Sequence, residues 1–285
     1  MLMLEIDDKV LADIRRGFSI PAQPSLLRKL QKIMAEDEPD LNVLADIISQ
    51  DVAVASIILK TINSPHYGLS RSISDIHKSV HYIGLNGINS LVTNTLIKSS
   101  FDQKDCSIAL EDFWDSATHI AHTCVHIGKK LKEGTSKDKL FSLGLFHDCG
   151  IPIMAMKYSN YTETYELAYN RASKTLPLIE DEFYGVNHAT IGYYVASSWR
   201  LPKDICTLIL VHHDRDFLKM KNSRPQEIYY AILKLAENLV HNHRHSQNSA
   251  DWPYVQEMIF TLLDIDEDNY QDYLEDTESC HLEED

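Results

Sequence analysis

Apolar residues in the first hundred positions recur every three or four residues, which is the period of an α-helix. The stretch LNVLADIISQ carries such a stripe and predicts a helix that ends before Asp51. We expect Asp51 to cap the next helix by accepting hydrogen bonds from its free amides. That helix should end near Asn63, because Pro65 follows.

Helical periodicity continues beyond Gly84, and no alternation of polar and apolar residues predicts a strand. The polar segment KSSFDQKDCS interrupts the pattern before a long helix expected over residues 110–131. Later helices are predicted at 138–157, 160–175, 188–199, 203–213 and 225–245. We therefore expect an all-α protein. Its predicted parts are an N-terminal helix at 1–16, an N-terminal lobe at 17–103, a second lobe at 104–250, and a C-terminal helix with an acidic tail at 251–285.

The composition is that of a globular protein. With 285 residues, 44% of them apolar, the chain is long enough to bury a core without disulfide bonds. Its five cysteines form no CxxC pair, which favours reduced thiols. The N-terminus lacks the basic start and apolar centre of a signal peptide, and no apolar run has membrane-spanning length. We therefore expect a cytoplasmic protein without a membrane segment.

The net charge of -15 is concentrated at one end of the chain. Residues 264–285 contain eleven acidic and no Lys or Arg residues, which leaves 31 acidic and 27 basic residues elsewhere. No basic stripe with interleaved aromatic residues is present, so direct nucleic-acid binding is not expected. The acidic tail is suited to docking on a basic partner, although a solvated, partly helical or frayed end is the more common structure.

The adjacent residues His147 and Asp148 are the best candidates for chemistry. They lie in the mostly apolar stretch SLGLFHDCGIPIM, where Pro152 should kink the predicted helix. An imidazole and a carboxylate together suit iron, manganese or a similar divalent ion. Further candidate ligands are His188, His212, His213 and Glu237. In the alternative interpretation, His188 caps a helix, and one of the paired histidines faces solvent while the other lies in a polar core.

Other histidines fall into two groups. His119, His122 and His126 share one face of the long predicted helix, where they either face solvent or coordinate a ligand, while the later group at 241–245 is expected at the surface. The chain contains no GxSxG, Walker A, GxGxxG or HExxH motif. Any reaction at this protein is therefore expected to depend on a metal ion.

The chain resembles the HDOD family over residues 17–215. The resemblance is carried first by FSIPAQPSLLRKL and by ISQD followed by NSPHYG and IGL, then by GLFHDCG, NHATIGYYVASSWRLP and ILVHHD. HDOD domains are similar to HD-type metal-dependent phosphohydrolases, but the metal and catalytic residues of HDOD domains are incomplete. The resemblance implies a two-lobed helical HD-like fold and a role in signal transduction through other signalling proteins.

The resemblance also implies a metal site. His147 and Asp148 match the defining HD pair, His188 and one of His212 and His213 match later histidines, and Glu237 stands at the final acidic position.

Several positions depart from an active HD site. Ser116 stands where the first histidine ligand is expected, and His119 could replace it only from one turn further along the helix. Ile151 replaces a lysine that would meet a phosphate. The GYP signature of cyclic-dinucleotide phosphodiesterases is absent.

Two hypotheses follow. In the first, the protein is a non-catalytic regulator that binds other proteins through its acidic tail or through a family-signature region, which comprises Asn63, Ser64, His66, Tyr67 and Gly68. In the second, the candidate ligands hold one or two ions that activate water for phosphoester hydrolysis.

Overall fold

A computed structural model of the chain describes residues 17–19, 21, 23–36, 38–64, 69, 71–131, 134–170 and 175–282. Within these ranges the protein is built from α-helices and short 3₁₀ turns, without strands, which confirms the all-α prediction. The contacts divide it into an N-terminal unit, Pro21–Asp102, and a C-terminal unit that begins at Gln103 and also includes residues 17–19. The predicted helix at 1–16 lies outside the described residues, as do His66, Tyr67 and Gly68.

The N-terminal unit contains four described helices. They are α1 (Ser25–Met34), α2 (Leu41–Ser49), α3 (Val52–Ile62) and α4 (Ile76–Lys98). Asp51 caps α3 as predicted, because its carboxylate accepts a hydrogen bond from the Val54 amide at 3.1 Å. Gly84 adopts a left-handed φ of 78° and kinks α4, so two helical segments meet at this glycine.

Asn63, in the family-signature region, closes the connection between α3 and α4. Its side-chain amide donates to the carbonyl oxygens of Leu59 and Ile73 at 2.7 and 2.8 Å, and its side-chain oxygen accepts from the Ile73 amide at 2.7 Å. Both ends of the segment between Asn63 and Ile73 are therefore tied to each other.

The C-terminal unit contains ten described helices. They are α5 (Leu110–Lys130), α6 (Lys137–Phe146), α7 (Gly150–Lys157), α8 (Tyr161–Asn170), α9 (Leu176–Tyr184), α10 (His188–Ser198), α11 (Lys203–Val211), α12 (Arg224–His245), α13 (Trp252–Leu263) and α14 (Glu267–Leu282). Helix α5 packs against α6 and α12, and α10 packs against α7 and α11. Helix α9 was not expected from the sequence.

The predicted single helix at 138–157 is two helices, α6 and α7, separated by a turn at His147–Cys149. The break lies beside the pair, where the sequence predicts a kink: Pro152 has no N–H for the Asp148 carbonyl, which accepts from the Ile151 amide instead. Pro152 lies in the first turn of α7, where a backbone donor has no intrahelical partner, so its missing N–H costs little.

The acidic C-terminal segment is a packed helix as far as the structure describes it. Tyr270 and Tyr273 of α14 are each 5% exposed, and α14 contacts α12 and α5. Asp276 forms ion pairs with Lys130 and His126 of α5. The expected end is thus helical, and its acidic side chains at Glu267, Asp268 and Asp272 are exposed, but α14 is not frayed, because Tyr270 and Tyr273 give it a buried apolar face.

None of the described helices is by itself long and apolar enough to cross a membrane. Helices α2 and α3 meet that length and composition only as a pair, and the pair is bent by 117°.

We expect Tyr273→Ala to lower the free energy of unfolding by about 3 kcal/mol, because it removes a buried aromatic ring. Gln271→Ala, an exposed position on the same helix, should change it by less than about 0.5 kcal/mol. Urea unfolding of the full chain measures both values. Equal effects of the two substitutions would contradict the packing of α14.

Candidate metal centre

His147 and Asp148 occupy the turn between α6 and α7. The His147 amide still donates to the Leu143 carbonyl at 2.9 Å, whereas the Asp148 carbonyl accepts from Ile151 at 2.8 Å, three residues later. The chain therefore leaves helical geometry at the pair, and the two adjacent side chains contact each other. His147 Nε2 lies 3.2 Å from Asp148 Oδ2.

Two glycines bring the backbones beside this pair unusually close to other helices. A β-carbon at Gly150 would lie 2.0 Å from the His188 carbonyl oxygen, and one at Gly144 would lie 2.6 Å from the α-carbon of Ala121. Any larger residue at either position would push helices apart. Gly150 thus allows the start of α10, with His188, to approach Asp148.

His188 is the first residue of α10, and Asn187 caps the helix by accepting from the Thr190 amide at 2.9 Å. The alternative in which His188 is itself the cap is therefore wrong. Its imidazole is fully buried and points to Asp148, with its Nε2 3.2 Å from Asp148 Oδ1.

His212 and His213 follow the last residue of α11 and lie in a turn. Successive side chains would diverge in a helix, but in this turn both imidazoles face the same centre. His212 Nε2 lies 3.1 Å from Asp148 Oδ1, and His213 Nε2 lies 3.1 Å from His188 Nε2. The alternative with one histidine facing solvent is wrong, although the His213 side chain keeps 21% exposure.

All four imidazoles are oriented by an acceptor at Nδ1. His147 and His212 donate to the backbone carbonyls of Gly144 and Ile209, both at 2.7 Å. Carbonyl oxygens only accept, so the proton must be on Nδ1.

Carboxylates orient the other two imidazoles. His188 Nδ1 lies 2.6 Å from Glu180 Oε2, and His213 Nδ1 lies 2.8 Å from Asp251 Oδ2. Each neutral imidazole consequently directs an Nε2 lone pair into the cluster, which is the usual arrangement of histidines that ligate metal ions.

Asp148, His188, His212 and His213 place one ligand atom each within 4.8 Å of one another. We call these four residues the metal cluster. Two imidazole nitrogens that face each other at 3.1 Å are both acceptors when neutral, so either a proton or a metal ion must lie between or beside them. A set of nitrogen and oxygen donors with oriented imidazoles fits a divalent transition-metal ion.

The pKa values of the clustered residues indicate where a positive charge lies when no metal ion is bound. Burial lowers the pKa of His188, but Glu180 and Asp148 outweigh burial and raise it to about 10. Burial lowers the pKa of His213 to about 3, and His212 and Lys234 reinforce this effect, against the hydrogen bond that His213 donates to Asp251. His147 beside Asp148 holds the pKa of that carboxyl well below its usual range despite burial. Without a metal ion, His188 thus carries the proton that lies between the two facing imidazoles.

Glu237 borders the metal cluster from α12. Its Oε1 lies 3.5 Å from His147 Nε2, and its Oε2 pairs with the buried Lys234 ammonium at 2.7 Å. Burial raises the pKa of Glu237, but Lys234 and His147 outweigh it and lower the pKa overall. The structure thus brings all six predicted ligands together, with His147 and Glu237 beside the four residues of the metal cluster. Their role as ligands stays a prediction.

The sequence did not indicate the two buried carboxylates, Glu180 and Asp251, that support the site. Glu180 is fully buried and accepts from His188 and from the Tyr161 hydroxyl. Asp251 pairs with His213, Arg215 and Lys234. Glu180 stands among other acidic residues of α9, and Asp251 precedes a helix like an ordinary cap, so neither had a distinguishing signal.

His119 does not join the metal cluster. It is buried on α5, with its ring centroid 5.7 Å from that of His243. Ser116, at the position of the missing ligand, lies one turn earlier on the same helix.

The family model of the HDOD domain matches residues 20–215. The chain belongs to the HDOD domain family. An uncharacterized protein of Treponema pallidum (strain Nichols) is 25% identical over 201 residues, which is 68% of this HDOD chain but only 38% of the relative. The HDOD chain thus spans well under half of that curated relative.

Solved structures share the fold of this HDOD protein. One from Marinobacter aquaeolei VT8, described as a candidate signal transduction protein, has a TM-score of 0.73 at 14% identity. The match covers 95% of this chain and 62% of the Marinobacter chain. One from Shewanella amazonensis SB2B, described as a candidate metal-dependent phosphohydrolase, has a TM-score of 0.65 at 17% identity and covers 95% and 96%. At these identities the likeness shows the fold alone.

We expect Glu180→Gln in this HDOD protein to weaken metal affinity by about 10–100-fold, because the neutral amide holds His188 Nδ1–H less firmly than a carboxylate. Titration against a competing chelator measures the affinity. Glu163→Gln, at an exposed position of α8, is the matched control and should bind as the wild type does. Identical affinities of both variants would remove Glu180 from the site.

Metal binding should release at least about one proton per ion at pH 7. The pKa of His188 is raised to about 10 in the metal-free protein, so His188 is protonated and must lose this proton before Nε2 can coordinate. Apparent affinity should therefore rise with pH until about 10. Calorimetry in two buffers of different ionisation enthalpy measures the release, and a buffer-independent enthalpy would contradict it.

Proposed function

We propose that this HDOD protein is a regulatory signalling protein whose C-terminal unit holds a divalent metal ion such as iron or manganese. The convergence of the Nε2 atoms of His188, His212 and His213, each on a ring held by a bond at Nδ1, carries the metal part of the proposal. His188, His212 and His213 supply nitrogen, and Asp148 supplies oxygen. In this account the ion stabilises the unit, because it binds the folded state and the ligands are dispersed when the chain unfolds.

Regulation without hydrolysis is favoured by the surroundings of the metal cluster. Ile151 is 1% exposed and packs in the core at the position where an active HD enzyme would have lysine. The nearby cations are already paired, since Lys234 binds Glu237 and Asp251, and Arg215 binds Asp251. In the part of the chain that the structure describes, the Lys234 ammonium beside the cluster is already committed to carboxylates, which removes a main source of stabilisation for a phosphoryl group.

The regulatory role then requires protein partners, which we propose to be other signalling proteins. The segment that starts at Asn63 and Ser64 is the proposed contact, because its ends are tied together and it belongs to the family signature. In the C-terminal unit the acidic face of α14 offers a second surface, since Glu267, Asp268 and Asp272 are exposed.

Hydrolysis of a phosphate ester is the second candidate function, and solvent access favours it. The Asp148 and His213 side chains keep 26% and 21% exposure, so the metal cluster is open to water. A bound ion at this position would supply Lewis acidity and lower the pKa of coordinated water.

The metal content of protein expressed with iron and manganese supplied tests the proposal. We expect near-stoichiometric metal in the wild type and a loss of at least about tenfold in Asp148→Ala, because Asp148 contacts three of the four imidazoles. Elemental analysis of the purified full chain gives both values. His77→Ala, in the N-terminal unit, controls for the removal of an imidazole and should retain the metal.

Phosphate mono- and diesters of p-nitrophenol then separate the two functions. The loaded wild type should release no more p-nitrophenol than Asp148→Ala does. Metal-dependent release that Asp148→Ala abolishes would favour the hydrolase, and folded wild-type protein without metal would overturn the proposed centre.

A further inference from the structure

A buried ammonium group lies beside the metal cluster. Lys234 is 3% exposed, and its Nζ lies 2.7 Å from Glu237 Oε2 and 3.4 Å from Asp251 Oδ2. Each of these carboxylates also contacts a histidine, since Glu237 Oε1 lies 3.5 Å from His147 and Asp251 Oδ2 lies 2.8 Å from His213. The ammonium therefore bridges two carboxylates that both belong to the surroundings of the cluster.

Two carboxylates with an imidazole nearby form a donor set suited to a divalent ion of the same kind as the cluster itself. An ammonium ion offers positive charge and hydrogen-bond donors but no lone pair. The Lys234 ammonium, on a side chain of α12, thus places positive charge between Glu237 and Asp251, as a metal ion would.

The charges around the cluster point to the same conclusion. The carboxylates are Asp148, Glu180, Glu237 and Asp251, and the permanent cations paired with them are Lys234 and Arg215. When the histidines are neutral, as metal binding requires of the ligands, four negative and two positive charges leave two negative charges, which one divalent ion neutralises. A second divalent ion would leave excess positive charge in a mostly buried region, where unpaired charge is costly.

We propose that the Lys234 ammonium takes the place of a second metal ion, so that the centre holds a single divalent ion. This inference rests on the proposed metal centre. It assigns to Lys234 the role of a positioning residue that sets metal stoichiometry.

Substitution of Lys234 tests the inference. Lys234→Met keeps the length of the side chain but removes the charge, which leaves Glu237 and Asp251 without their shared cation. With manganese in excess and unbound metal then removed, the full-length wild type should retain about one ion per chain and Lys234→Met about two. Lys234→Arg keeps the charge and should retain about one, so it is the matched control. Elemental analysis with a protein assay gives the ratio.

Thermal unfolding provides a readout that does not depend on counting ions. The metal-free Lys234→Met variant should unfold at a lower temperature than the wild type, because two buried carboxylates have lost their partner. Manganese should then raise its unfolding temperature by more than it raises that of the wild type. The same comparison applies if the variant does not fold without metal, since manganese should then restore folding.

The outcomes separate this inference from the proposed function. Two ions in the wild type, one ion in Lys234→Met, or a variant that manganese leaves unfolded would each overturn the role of Lys234 while the metal centre stands. Folded wild-type protein that retains no metal would overturn both.

Discussion

Hydrogen bonds at the Nδ1 atoms of four imidazoles, three of them buried, determine the arrangement of the whole candidate site. Each bond fixes a ring, selects its tautomer and leaves the opposite nitrogen as an acceptor. Two of the partners are carbonyls at helix ends, Gly144 and Ile209, and two are carboxylates, Glu180 and Asp251. The two carbonyls orient their imidazoles without burying any charge. The two carboxylates orient the other imidazoles and also add negative charge, which favours the binding of a cation.

The sequence predicted the ligands better than their supports. His147, Asp148 and the later histidines were recognisable because ligand-type side chains in apolar segments are unusual and because the family resemblance covers them. The convergence of His212 and His213 depends on where α11 ends, and periodicity alone does not locate a helix end to within one residue. Glu180 belongs to a helix that was not expected, and a buried carboxylate has the same sequence pattern as an exposed one.

The fold class was predictable for a different reason. Helical periodicity and caps such as Asp51 are local properties, so a single sequence contains them. The packing of the acidic helix α14 is a long-range property. Its two buried tyrosines are spaced for one face, but the surrounding acidic residues dominate the composition and indicated a solvated end. Local patterns thus gave the elements, whereas tertiary contacts decided which polar residues are buried.

The close approach at Gly150 links the ligands to the skeleton of the C-terminal unit. A side chain there would collide with the His188 carbonyl, so the distance between Asp148 and His188 is set by main-chain contact between α7 and α10. The separation of Asp148 and His188 therefore changes whenever the spacing of α7 and α10 changes. Anything that moves α10 relative to α7 must change the affinity for the ion, and by thermodynamic reciprocity the ion must favour one spacing of these helices over others.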